Sequence, residues 1–502
     1  MNTQTPHLIR LLRTGSQTGQ RLCERMDVSR ATLSRLMGDC QSEHPGFLCQ
    51  IGAARSTRYA WAKPDENHPD QPWNIPVYHV DRHGVLQSDG TLTVLEADEY
   101  LFTPSNTLRS RDTNRYPGGW MRSHYEGIPW FLQDIRPQGY LGRALAQQLF
   151  RQPEVISTPL PEHIHQWNDD QVLWVITQMG NDLPGHFLIG AASAERFITQ
   201  SHATDAIHAE DRANAYAQNV RNLMGGRWIP HSSAGGEQPK FVAHVTDRHA
   251  QSRHVIVKFS PPAQDASPVA QRWCDLLIAE HHALSVLAEH DMPAAHTELL
   301  QGSDGRWFLE STRFDREGAH GRVPVFSLRS VLLEATGDLP GWVPAAAILQ
   351  RDRLIHMDTM ARIHLLDAYG HFIGNTDRHP GNLSFTQPDI SDSAHFSLAP
   401  AYDMLPMQYA PEAQGSMLPD FRPITPYPVQ HEMVPIAQDL AAMFWSGVAR
   451  DPRISKNFRE MAITHAEDLM TIRQKQVLPQ LPEHEANSAL SGSGLIPDAK
   501  VE

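Results

Sequence analysis

The sequence predicts an α+β protein of several domains, on three observations. Its 502 residues exceed what one hydrophobic core usually fills. Short apolar strand patterns mix with helical spacing as far as about residue 320, and the rest is mainly helical. Charge is also divided. Residues 1–64 carry nine Lys/Arg and four Asp/Glu, a net +5 in a chain of −14, so the remainder holds −19. A small basic module on an acidic body points to one polyanion-binding end.

Composition excludes some classes. No apolar run approaches the roughly 18 residues of a membrane span, and no signal-peptide core opens the chain. Cys23, Cys40, Cys49 and Cys274 have neither metal nor redox spacing and read as reduced thiols of a cytoplasmic protein. The expected divisions are 1–64, a polar and proline-rich linker over 65–74, a mixed subdomain over 75–225, strands and a helix over 226–320, a helical region over 321–481, and a disordered tail over 482–502.

In the first division, a helix from Leu8, a helix 17–26 capped by Ser16 and a helix 30–37 capped by Ser29 are expected, the last two joined by Asp27-Val28-Ser29. Two short helices across a three-residue turn are the plan of a helix-turn-helix. Strands at 47–51 and 59–61 form a wing with Arg55 and Arg58 at its tip. Ser29, Arg30, Thr32, Arg35, Arg55 and Arg58 are the candidate contacts to double-stranded DNA. The module resembles bacterial winged helix-turn-helix domains.

Chemistry-bearing residues follow in order. Ser232-Ser233-Ala234-Gly235-Gly236-Glu237-Gln238 is a small-residue loop whose N–H groups can turn toward phosphate oxygens. Two strands follow, at 241–245 and 254–259, and Lys258 lies on the second. Lys240 and Lys258 are the only lysines between Pro64 and Ser455. In the next helix Glu280 shares the apolar face of Leu276 and Leu284, where a carboxylate needs a cation; Lys258 is the natural partner. Thr312, Arg313 and Phe314 then suit a hinge between two lobes whose backbone binds an adenine ring. Helix 357–370 leads to Asp377-Arg378-His379-Pro380-Gly381-Asn382, with the D-x-x-x-x-N spacing of a kinase catalytic loop. Asp403, after Tyr402, closes the series. Asp377 is the candidate catalytic base, Asn382 and Asp403 the Mg²⁺ ligands, and His379 a residue that orients the loop. Close histidine pairs such as His163/His165 are what 28 histidines give by chance.

These motifs resemble the HipA family of bacterial toxin kinases, in the YjjJ-like branch with a fused N-terminal helix-turn-helix. The resemblance rests on residues 232–240, Val257-Lys258, Arg313-Phe314-Asp315-Arg316, 376–382 and Tyr402-Asp403, and upstream on 127–132 and 180–185. It implies a two-lobed, protein-kinase-like core with ATP and Mg²⁺. ATP would meet Ala234, Gly235, Gly236, Glu237, Gln238, Lys258, Thr312, Arg313, Phe314, His379, Asn382, Tyr402 and Asp403. It further implies transfer to Ser or Thr of a protein such as an aminoacyl-tRNA synthetase, and an autophosphorylated serine at Ser232. The expected partners are a protein substrate, DNA, an antitoxin and a second copy of the chain; no membrane partner is expected. Two other readings stand beside this one. Asp377-Arg378-His379 also looks like phosphoinositide kinases, hence a kinase for a lipid or small molecule. A transcription regulator with an idle or ligand-sensing kinase fold is the other.

Overall fold

The computed structural model describes residues 4–53, 56–105, 123–152, 160–200, 206–225, 236–249, 251–387, 395–412 and 421–477. Ser232, Ala234, Gly235, Arg55 and the tail 482–502 lie outside them.

The N-terminal unit packs α1 (Gln4–Leu12), α2 (Gly19–Met26) and α3 (Arg30–Glu43) against a sheet ordered β1-β3-β2, from β1 (Gln17–Thr18), β2 (Leu48–Ile51) and β3 (Arg58–Trp61). Asp27 joins α2 to α3 in the left-handed region, at φ 52°, a conformation Asp tolerates better than most residues. Two expectations are corrected. Ser16 does not cap α2; Thr18 does, accepting from the Arg21 N–H, because 17–18 pair with β3 as a strand. Residues 65–74 are not a loose linker: Pro64 bridges Pro72, the Trp73 N–H donates to Lys63 O, and Trp73 is buried.

The middle unit is a sheet ordered β7-β6-β5-β4-β8, from β4 (Asn74–Val80), β5 (Leu86–Val94), β6 (Glu99–Pro104), β7 (His124–Glu126) and β8 (Phe187–Ile189). Its helices are α4 (Gly139–Arg151), α5 (Asp169–Met179) and α6 (Ala191–Gln200). Asn168 and Gln171 form a capping box that starts α5. Behind Pro129 the chain forms a 3-10 turn, Trp130–Ile135.

A second five-stranded sheet, ordered β12-β13-β11-β10-β9, makes the smaller lobe of the core. It contains β9 (Ile207–His208), β10 (Lys240–Thr246), β11 (Ser252–Phe259), β12 (Thr297–Gln301) and β13 (Trp307–Thr312). Helix α7 (Arg212–Met224) covers one face through Tyr216 and Val220. Helix α8 (Pro268–Glu289), capped by Ser267, packs through Leu276, Leu284 and Leu287 into the main core.

The larger lobe begins after a ribbon of β14 (Arg316–Glu317) with β15 (Gly321–Arg322). A three-stranded sheet, β16 (Val325–Ser327), β17 (Ser384–Thr386) and β18 (Ser397–Leu398), carries the end of the D-x-x-x-x-N loop. Around it stand α9 (Leu328–Ala335), α10 (Trp342–Arg351), α11 (Met357–Phe372), α12 (Met433–Arg450) and α13 (Lys456–Val477). Tyr369, Phe372, Phe444 and Trp445 fill the space between α11 and α12 and are wholly buried. The architecture is α+β, with a two-lobed core. Among the described residues, no helix is long and apolar enough to cross a membrane.

Candidate active site

Lys258 stands on β11, and the register of the β10–β11 hairpin sets Lys240 directly opposite. Both are buried, at 5% and 3% exposure, which lysine accepts only against negative charge. Lys258 Nζ donates to both oxygens of Glu280, at 2.6 and 2.7 Å, and to Asp403 Oδ1 at 2.6 Å. Burial alone would lower the Lys258 pKa, but Asp403 and Glu280 more than offset it and hold the ammonium charged. Burial raises the Glu280 carboxyl, opposed chiefly by Lys258. Against the same burial, Lys258 and Lys240 keep Asp403 ionised. Lys240, penalised by burial and by Lys258, is pushed below the usual lysine range. Two ammonium groups thus face two carboxylates, and one carboxylate comes from the other lobe.

Asp403 sits at φ 52° without being glycine, an energetic cost of roughly 1–3 kcal/mol that clusters at functional sites. Its main chain is held from behind, where buried Asn375 donates Nδ2 to Asp403 O at 3.5 Å.

Helix α11 ends at Phe372, and the loop turns back over it. The Asp377 N–H donates to Asn375 Oδ1 at 2.9 Å. Asn382 Nδ2 donates to Asp377 O at 2.9 Å and to Asp377 Oδ2 at 3.1 Å. The six-residue spacing therefore closes a ring that joins the two polar side chains. The Asp377 side chain is 49% exposed and His379 Nε2 lies 3.6 Å from it, so a proton acceptor faces outward. Below, Tyr402 O–H donates to Gly381 O at 2.9 Å, and Trp342 Nε1 donates to His379 O at 2.8 Å. Tyr402 thus braces the loop through its phenol, and its ring packs against Phe314, centroids 5.7 Å apart.

The described end of the glycine-rich loop lies beside this cluster. Gly236 has φ +92°, and a Cβ there would lie 2.6 Å from Lys240 Nζ and 3.6 Å from Asp403 Oδ2. The middle unit holds it in place. The Tyr140 N–H donates to Gly236 O at 2.9 Å, and Arg143 pairs with exposed Glu237. A Cβ on Gly139 would come within 2.4 Å of Gly236 O, so two glycines are needed for the approach. Gln238 is half-buried in the same loop.

The hinge expectation is sharpened at Arg313, whose side chain does not reach the lysine cluster. It is buried in a separate ionic group, bidentate to Asp315 at 2.9 Å and bonded to Asp182 of the middle unit at 2.8 Å. Arg316 joins the same two carboxylates at 2.8 and 2.9 Å. The arginines hold Asp182 and Asp315 well below the usual carboxylate range despite burial. The Thr312 and Arg313 N–H groups are committed to His296 O and His254 O.

On the N-terminal unit, Ser29, Arg30 and Arg35 are exposed and Thr32 is half-buried. Ser29 Oγ accepts the Thr32 N–H at 3.2 Å, so it caps α3. Arg58 is not at a wing tip: it is half-buried on β3 and donates to Ser16 O at 2.9 Å. That bond withdraws it from the exposed face.

Sequence reasoning gave Lys240 no part, although its survival in a lysine-poor stretch was the available signal. It cited 180–185 for the resemblance but gave Asp182 no role, because a partner 131 residues away leaves no local pattern.

Among the described residues no group of three or more His, Cys, Asp and Glu could hold a metal ion. Asn382 and Asp403 each offer a side-chain oxygen, the donor type that Mg²⁺ takes alongside phosphates and water.

Comparison with known proteins gives two family matches: the YjjJ-like toxin middle domain over residues 71–198, and the HipA-like C-terminal domain over 232–464. The chain is similar to Toxin YjjJ of Escherichia coli K12, 35% identical over 469 residues, which are 93% of this chain and 97% of that one. Among solved structures it resembles HipA in the Shewanella oneidensis MR-1 complex of HipA, HipB and operator DNA, at 11% identity and a TM-score of 0.42, covering 80% of this chain and 97% of that chain. It also resembles the Helicobacter pylori proinflammatory kinase CtkA, at 13% identity and a TM-score of 0.32, covering 47% and 88%.

Proposed function

This chain belongs to the YjjJ-like toxins with a HipA-like C-terminal domain, and on that premise we propose that it is an ATP-dependent serine/threonine protein kinase with a fused DNA-binding unit. The observation that carries the reading is the meeting of Lys258, Glu280 and Asp403, from three separate elements, beside a loop that joins Asp377 to Asn382. Lys258 then holds nucleotide phosphates, and Glu280 keeps its ammonium in place. Asp377, exposed on the loop, accepts the proton of an incoming hydroxyl. Gly236, Glu237 and Gln238, with Ala234 and Gly235 before them, cover the phosphates, and Thr312, Arg313 and Phe314 meet the base through main-chain oxygens and the Phe314 ring. Mg²⁺ at Asn382 and Asp403 would neutralise charge on the phosphate oxygens. Catalysis is positioning plus electrostatic stabilisation, as phosphoryl transfer requires.

Arg30 and Arg35, both exposed on α3, are the DNA contacts this reading keeps, with Ser29 and Thr32 at the helix start. An antitoxin, a homodimer and autophosphorylation at Ser232 complete the proposal.

Labelled ATP added to lysate with the purified chain tests the substrate class. A labelled protein band that is absent with Asp377→Ala is expected. Label confined to lipids or small molecules would overturn the protein-kinase reading.

A further inference from the structure

One face of α11 carries a second segment of chain. Residues 421–430 contain Pro423, Pro426 and Pro428, which lack the N–H groups that would bind the segment to a strand. Side chains fasten it instead. His371 Nε2 donates to Thr425 O at 2.9 Å. Tyr427 O–H donates to Asp367 Oδ2 at 2.5 Å. The His364 ring stacks on His431, centroids 4.0 Å apart and planes 12° apart. His364, Asp367 and His371 stand at i, i+3 and i+7, so the contacts follow a single stripe.

Asp367 is the member that reaches the active site. Its other oxygen, Oδ1, accepts Arg378 Nε at 3.0 Å. Arg378 follows Asp377 directly in sequence, and its guanidinium also bonds Asn375 O. Asn375 in turn receives the Asp377 N–H and reaches Asp403 O. The arginine stem crosses α11 at Gly370, where a Cβ would lie 2.6 Å from Arg378 Cδ. The helix therefore has space for this one path. The Asp367 carboxylate is divided between a tyrosine of the strap and an arginine of the loop. Ionic and hydrogen-bonded partners on both oxygens leave it little rotational freedom.

We propose that Tyr427 and Asp367 are positioning residues for the catalytic loop, acting through Arg378 on the main chain from Asn375 to Asn382. The inference rests on the reading of Asp377 as the proton acceptor and deepens it by naming what aims that group. A loop displaced by a fraction of an ångström loses rate in the chemical step, not in nucleotide binding.

The test uses the full chain with Tyr427→Phe, Asp367→Asn and the pair together. Expected for Tyr427→Phe is a fall in kcat of roughly tenfold with KM for ATP unchanged, and a double variant no slower than Asp367→Asn alone. A rise in KM with kcat unchanged, or additive losses, overturns the proposal. Hydrogen exchange of the 375–382 amides supplies a readout independent of activity. Faster exchange is expected there in Tyr427→Phe and not in Val429→Ala, an exposed change on the same strap. Unchanged exchange in both Tyr427→Phe and Asp367→Asn overturns the inference. A wild-type chain that transfers no phosphate defeats the kinase reading, and the exchange result then decides the positioning role by itself.

Discussion

Lys258 is a buried lysine whose charge is matched by two carboxylates. The residue is 5% exposed, and its ammonium is compensated by Glu280 and Asp403. Removal would leave two carboxylates buried with one ammonium, Lys240, close by. Breaking a buried pair from one side typically costs about 3–5 kcal/mol, so Lys258→Ala should unfold at clearly lower denaturant concentration and transfer no phosphate. Urea unfolding of the two proteins checks this; an unchanged midpoint would show that the cluster is not compensated as described. The Lys258–Glu280 contact was legible, because Glu280 lay on an apolar helix face and a lysine preceded it. The contact to Asp403 was not, since 145 residues separate the two.

Elements were legible where local signals agreed and misread where tertiary partners intervened. The shared apolar face of Leu276, Glu280 and Leu284 announces α8, and the helix expected over 357–370 is α11, which runs two residues further. Thr18 replaces Ser16 as a cap only because 17–18 pair with a strand forty residues on. The supposed linker folds back because Trp73 finds a core to enter. Helix α13 adds a property no pattern shows. His465 on it is fully buried, bonded to Tyr409 O–H at 2.5 Å, and burial depresses its pKa from 6.5 to about 4. Burial depresses His254 and His281 to about 4 as well. The unfolded chain takes up these protons first as pH falls, so stability is full above about 6.5 and drains away toward 4. Melting temperature should fall across that window, and His465→Gln should make the slope shallower while lowering the neutral value. A flat profile would contradict neutral burial of these rings.

On the scale of the molecule, the middle unit joins everything else. Asp134 Oδ1 accepts Ser327 Oγ of the larger lobe at 2.6 Å, Asp182 grips the hinge arginines, and Tyr140 holds Gly236 of the glycine-rich loop. The N-terminal unit is joined to it just as firmly. Glu99 accepts the Ser16 N–H at 2.8 Å and bonds His124 Nε2 at 2.7 Å, and these bonds bring its carboxyl down to about 2 although burial would raise it. Lys63 pairs with Asp170 at 2.6 Å. The candidate active site and an arginine face are thus joined through the middle unit. If that face binds DNA, Arg30→Ala and Arg35→Ala should each weaken binding and reduce the slope of log affinity against log salt by about 1; unchanged slopes would remove these residues from the interface. The proposed kinase function depends on phosphate transfer at the Asp377 loop. The most direct measurement is γ-phosphate transfer from labelled ATP and Mg²⁺ by the purified chain beside folded Asp377→Ala. The account predicts labelled protein with wild type and a loss of about 10²–10⁴ in rate with the variant, whereas equal rates in the two would contradict it.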